Sequence, residues 1–212
     1  MKKALYFVFF AMLAMYFVYS IGGYGKVKVE SDERKVQESG VNAKVPKYTP
    51  DDAMKELEWW ARTVASYPER AENPDFSEAV KIANQLYNIK EDVGEIAAKF
   101  PDNEGLREGA RKILEAVPAV QKRIFPKLRR AWVNGQKGVM SEYGVRVSCG
   151  GERCDKVTFT GARYYSDGLA QEDYGEIKSQ AIRLRFKRVT FSNGNGKGGF
   201  YDIEDQSDLT VE

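Results

Sequence analysis

The stretch 121-QKRIFPKLRRAW-132 organises the chain around it. Placed at about 100° per residue, Lys122, Arg123, Lys127, Arg129 and Arg130 fall on one side of a helix, and Ile124, Phe125, Leu128 and Trp132 on the other. That segregation defines an amphipathic helix. Its basic side is open to two readings. It can be the solvated back of a packed helix, or it can meet an anionic partner such as lipid headgroups, nucleic acid or an acidic protein. Pro118 and Pro126 each remove a backbone donor and predict a kink or a restart. The expectation is one long, kinked helix from Asn103 to about Tyr143.

Upstream, the pattern stays helical. Thr49 suits an N-cap, Pro50 the first helical position, and Asp51 and Asp52 the positive helix end. Ala53, Leu57, Trp60, Ala61, Val64 and Tyr67 recur at three- and four-residue steps and predict a helix that ends before Pro68. Trp59 and Trp60 cannot both face one core, so one of them marks a contact surface or the helix is wedged between two layers. A second helix starts near Asn73 or Asp75, with a stripe of Phe76, Val80, Ala83, Tyr87, Val93, Ala97 and Phe100, and stops at 101-PDNE. Leu106, Ala110, Ile113, Val117, Val120 and Ile124 continue on the third. A short connection between matching stripes predicts an antiparallel helical hairpin.

Downstream of Gly144 the period changes to alternation. Val145, Val147 and Cys149, then Val157, Phe159 and Gly161, flank 149-CGGERC-154 and predict a β-hairpin. Ser166 or Asp167 opens a helix in which Tyr174, Ile177 and Ala181 share a face; Arg183–Phe191 returns to strand, and Gly199–Ile203 is the last one. The order β-β-α-β-β predicts a small sheet with one helix packed on it. In 183-RLRFKR-188, Arg183, Arg185 and Lys187 alternate with Leu184 and Phe186, as in a half-buried strand with one basic face. The glycine-rich 193-NGNGKGG-199 lacks the phosphate-loop pattern and is expected to be a hairpin turn. Asp202, Glu204, Asp205 and Asp208 lack the spacing of a calcium loop and are expected to form a solvated tail.

Residues 4–21, ALYFVFFAMLAMYFVYSI, carry no charge and follow Lys2 and Lys3. At 1.5 Å per residue they nearly cross a hydrocarbon core of about 30 Å. The length of the run and its terminal aromatic residues favour an uncleaved anchor over a signal peptide cut near Ser20, Gly22 or Gly23. Lys2 and Lys3 favour a cytoplasmic N-terminus and an outside body, against a weaker basic signal from Lys26, Lys28, Arg34 and Lys35. The expected organisation is an anchor over 1–21, a linker over 22–48, a helical region over 49–141, a small α+β domain over 142–205 and a tail over 206–212.

Chemistry is bounded by what the composition lacks. The 212 residues contain no histidine, which excludes serine–histidine and cysteine–histidine catalysis and imidazole-ligated zinc. No cofactor or metal is expected. Net charge is +2, the two lysines at the start account for it, and the body is neutral, so nucleic acid is a disfavoured partner. Cys149 and Cys154 are the only cysteines. Outside the cytoplasm they are expected to form a structural disulfide, with free thiols, a redox pair or a metal site as alternatives.

The succession QKRIFPKLRRAW, a hairpin, a helix and LRFKRV resembles a pattern in uncharacterised bacterial membrane-anchored proteins, over about residues 119–190. The resemblance implies an apolar N-terminal segment, a helical region and this C-terminal unit, and no catalytic residue. The cysteine hairpin and the glycine-rich loop are not part of the shared pattern. The expected fold is α+β: a transmembrane helix, a helical hairpin with a long third helix, and the β-β-α-β-β unit. The expected function is binding or assembly by a single-pass bacterial inner-membrane protein with a periplasmic or extracellular body. Its partner would be another envelope protein or a second copy. The alternatives are a cytoplasmic-facing binder of nucleic acid or lipid headgroups, using Lys122, Arg123, Lys127, Arg129, Arg130, Arg183, Arg185 and Lys187, and a thiol-dependent enzyme.

Overall fold

A computed structural model describes residues 48–196 and 198–203. The anchor, the linker as far as residue 47, and the acidic tail beyond Ile203 lie outside the described residues. Within them the chain is α+β. Three helices come first: α1 (Pro50–Arg70), α2 (Phe76–Ala98) and α3 (Glu104–Ser141). Strands β1 (Arg146–Gly150) and β2 (Lys156–Thr160), helix α4 (Asp167–Arg183), and strands β3 (Arg188–Ser192) and β4 (Gly198–Asp202) follow. No helix among the described residues is long and apolar enough to cross a membrane.

Local chemistry sets the helix starts. The Thr49 hydroxyl accepts from the Asp52 amide and the Asp52 carboxylate accepts from the Thr49 amide, a reciprocal capping box. Asp75 accepts from the Glu78 amide at 2.7 Å, and Asn103 from the Leu106 amide at 3.1 Å. The ends are less local. Helix α1 passes through Pro68 to Arg70 instead of stopping before it. Proline there forfeits one bond in the last turn, and the Ala71 amide still reaches the Tyr67 carbonyl at 2.9 Å. Helix α3 likewise runs unbroken through Pro118 and Pro126.

The hairpin is antiparallel: Phe76, at the start of α2, lies against Gly135, near the end of α3. On α1 the stripe Ala53, Leu57, Trp60, Val64 and Tyr67 is buried, while Ala61 is exposed. Trp60 is the core member of the tandem, and Trp59 stands 46% exposed with its ring edge-on to Trp60 at 4.9 Å. On α2 the expected stripe is widened: Val80, Ala83 and Val93 are buried and Phe76, Ala97 and Phe100 pack against the core, with Tyr87 alone outside it. Tyr87 is 49% exposed, and the buried row is Ala79, Ile82, Leu86, Ile89, Val93 and Ile96 together with Val80 and Ala83. This helix touches α1, α3 and α4, so it buries a broader arc than a two-helix seam would.

The sheet order is β1-β2-β3-β4, with antiparallel outer pairs and a parallel centre that α4 bridges. Its inner face carries Val147, Val157, Phe159, Val189 and Phe191, in register as Val147↔Phe159↔Phe191 and Val157↔Val189. Trp132 of α3, fully buried, meets this face through Phe159 at 6.5 Å and Phe186 at 5.3 Å between ring centroids. Its indole N–H donates to Gln180 Oε1 of α4 at 2.6 Å. On α4, Ile177 and Ala181 are buried and Tyr174 stacks on Tyr201 at 4.0 Å.

The strand expected over Arg183–Phe191 begins only at Arg188. Residues 183–187 are not strand. Helix α4 continues to Arg183 and closes with the Phe186 amide bonded to the Ala181 carbonyl and the Arg185 amide to the Ile182 carbonyl. This is a Schellman ending in which Arg185, at φ 57°, occupies the left-handed position that glycine usually takes. The reversal buries Leu184 and Phe186 on either side of it, which mimics the alternation of a strand.

At Gly135 of α3 the packing against α2 leaves no room for a side chain. A Cβ there would stand 2.3 Å from Phe76 Cδ2 and 2.8 Å from Phe76 Cβ. Gly135→Ala is expected to lower unfolding free energy by about 1–3 kcal/mol, measured by urea denaturation. An unchanged midpoint would show that the helices separate without loss.

Candidate functional site

Helix α3 presents Pro118, Gln121, Lys122, Phe125, Pro126 and Arg129 along one stripe, at steps of three and four residues. Facing it are Arg153 and Asp155 from the β1–β2 connection, and Arg185 and Lys187 from the α4–β3 connection. Together they line an open cavity of about 130 Å³. Five cationic side chains and one carboxylate line it.

Arg129 is the buried member, 9% exposed. Its Nε–H donates to the Leu184 carbonyl at 2.8 Å and an Nη1–H to the Arg153 carbonyl at 3.2 Å. The guanidinium lies over Phe125 (5.6 Å) and Phe186 (5.9 Å). Among the described residues no carboxylate forms an ion pair with it. Burial, reinforced by the charges of Arg185 and Arg153 and opposed by Asp155, pulls its pKa down to about 10. Arg185 donates to Gln121 Oε1 at 2.7 Å, and its guanidinium lies over the same Phe125 ring at 5.2 Å. Lys187 pairs with Asp155 at 3.6 Å and is bonded to it again through its backbone amide.

The disulfide Cys149–Cys154 closes the β1–β2 connection, with 4.9 Å between α-carbons. It ties the ends of the segment whose carbonyls hold the basic helix: Arg153 accepts from Arg129, and Glu152 accepts from Arg130 at 2.9 Å.

The eight basic residues expected to form one anion-binding face are therefore divided. Lys122, Arg129, Arg185 and Lys187 converge on the cavity. Lys127 and Arg123 instead reach Glu72 beyond the end of α1, at 2.7 and 4.0 Å, and Lys127 holds that carboxyl below its usual range. Arg130 serves Glu152. Arg183 donates to Asn84 Oδ1 at 2.9 Å and lies over Tyr87. Gln121, Arg153 and Asp155 are members that sequence reasoning did not single out. The Pro118-to-Arg129 stripe carried the signal for Gln121, whereas nothing local placed Arg153 or Asp155 opposite it.

The other charged candidates are paired locally. Asp202 takes two bonds from Arg188, at 2.6 and 3.0 Å. The buried Asp173 accepts from Tyr164 at 2.8 Å and Arg163 at 3.0 Å. No cluster of three or more cysteine and acidic residues suited to a metal ion occurs among the described residues. No known protein family, curated protein or solved structure matches the chain.

The arrangement has cationic donors held in place by backbone carbonyls, on a wall braced by a disulfide. Reducing Cys149–Cys154 is expected to cost about 2 kcal/mol of stability, the loop-closure value for so short a ring, read from urea midpoints with and without reductant. Identical midpoints would mean that the bridge does not brace this wall.

Proposed function

We propose that the chain is a non-catalytic binding protein that takes an anionic group into the cavity beside Arg129. Residues 4–21 would tether it to a bacterial inner membrane, with the body outside the cytoplasm. One observation carries the binding reading: among the described residues the buried guanidinium of Arg129 has no ion-pair partner, and Asp155 is the one carboxylate in a wall that also holds Arg153, Arg185, Lys122 and Lys187. A buried charge is costly unless an opposite charge or hydrogen bonds compensate it. An anion bound only by the folded state would therefore stabilise the fold in proportion to its occupancy. The outside placement is supported by the uncharged run 4–21 and by the disulfide, since such bridges persist in oxidising compartments. Assembly with another envelope protein, or with a second copy, is compatible with that tether.

The binding reading is tested by thermal unfolding of the full chain in nonionic detergent. Low-millimolar sulfate is compared with chloride at matched ionic strength. A saturable rise of a few degrees is expected, about 2–4 °C per kcal/mol for a chain of this size. The rise should be lost in Lys122→Gln/Arg185→Gln and kept in Lys112→Gln, which changes an exposed residue elsewhere on α3. Equal rises in all three proteins would be general salt stabilisation and would remove the reading.

The placement is tested by alkylating thiols in intact cells without reductant. Both cysteines are expected to resist modification. Two labelled thiols would place the body in the cytoplasm.

A further inference from the structure

We infer that the open groove between α1 and α3 docks the same groove of a second copy, in a parallel twofold dimer. The two helices run side by side in the same direction, since Gly105 lies against Met54 and Gly109 against Leu57. On α1 the groove is lined by Met54, Glu58, Ala61 and Ala65. On α3 it is lined by Gly109, Ile113, Ala116 and Val120. Both rows step by four, three and four residues, the 3.5-residue period of a helical-bundle seam. Ala61, Ala65 and Ala116 are exposed, and Met54, Gly109 and Val120 are half-buried. No element among the described residues covers these two seams. A contiguous apolar groove with charges on its rim marks an interaction site. Small side chains there let helix axes come close together.

Charge and chain direction name the occupant. Glu58 stands on the α1 wall and Lys112 on the α3 wall, within about one helical turn of the same height. A twofold axis along the groove sets α1 of one copy opposite α3 of its partner without changing height. Each Glu58 then meets the partner copy's Lys112, twice per dimer. An axis across the groove sets α1 against α1 and offers neither pair. The axis along the groove also keeps both copies of Tyr48, just before α1, at one end of the dimer. Both uncharged runs over 4–21 would then enter one membrane from the same side. This orientation argument rests on the tether proposed above, whereas the groove and its charges stand without it. Confinement to one membrane raises the effective concentration of each copy for the other.

The test is the protein mass of the full chain in nonionic detergent, by light scattering on a size-exclusion column across a concentration series. Twice the chain mass of 24.0 kDa is expected. Ala61→Arg places a large charge at an exposed helix position and keeps a good helix former there. It should weaken association by about tenfold or more and leave the circular dichroism spectrum unchanged. Glu58→Lys and Lys112→Glu should each weaken it by about fivefold, and the double variant should return it to within about twofold of the starting protein. Monomers throughout the series would overturn the dimer, the groove then being covered by the upstream chain or by a different protein. A dimer that Ala61→Arg leaves intact associates through the anchor or elsewhere and would overturn it too. So would single charge variants that the double variant does not rescue. Failure of the tether reads out separately: the chain would leave the membrane fraction of cells, while dimers in detergent would still support the groove pairing.

Discussion

The hydrogen bonds of Arg129 to the Leu184 and Arg153 carbonyls are the constraint on which the rest of the structure depends. They fasten the long helix to two connections of the C-terminal unit at once. Around them, Arg130 reaches Glu152, Trp132 reaches Gln180, Arg185 reaches Gln121 and Arg183 reaches Asn84. The seam is thus built from cationic and indole donors on neutral acceptors. Charged donors make stronger bonds than neutral ones, about 1.5–3 kcal/mol each against 0.5–1.5. They also leave positive charge in a partly dry place, which gives the cavity its character.

Helix α3 makes this possible because it belongs to both halves of the body. Its N-terminal half packs in the hairpin through Leu106, Ala110, Ile113 and Val117. Its C-terminal half places Trp132 on the sheet. Pro118 and Pro126 lie on the stripe that forms the cavity wall. Each deletes a backbone donor and leaves the carbonyl four residues earlier without its usual partner. The sheet unit in turn supplies the opposite wall through a disulfide-closed turn and a helix ending that bends at Arg185. Helix, turn and helix ending meet in one place because the parallel β2–β3 pairing brings the β1–β2 and α4–β3 connections to the same end of the sheet.

Much of this was legible locally. Thr49, Asp75 and Asn103 announce helix starts through their own side chains, and the β-β-α-β-β order follows from a change of period near Gly144. The disulfide followed from two cysteines at opposite ends of one hairpin tip. Helix ends were harder. Pro68, Pro118 and Pro126 are tolerated because packing outweighs one missing bond, and that packing is tertiary. Tyr87 has the right spacing for a core stripe, yet α2 buries a broader arc centred away from it because it meets three helices. The 183–188 segment misled because a chain reversal and a strand can bury the same alternate residues. Of the site, the helix contribution was visible as a basic face. Arg129 sits at the edge of that face, so spacing alone could not separate a buried arginine from a solvated one. The pairing of Lys127 with Glu72, and of Arg129 with the Arg153 carbonyl, depends on how distant segments meet.

The central claim is that the cavity between α3 and the two connections receives an oxyanion. Its most direct test is a crystal structure of the full chain soaked with tungstate, a heavy tetrahedral oxyanion, located by its anomalous signal. The account predicts a peak within hydrogen-bonding distance of the Arg129 and Arg185 guanidiniums. An empty cavity at saturating tungstate, or peaks confined to surface lysines, would contradict it.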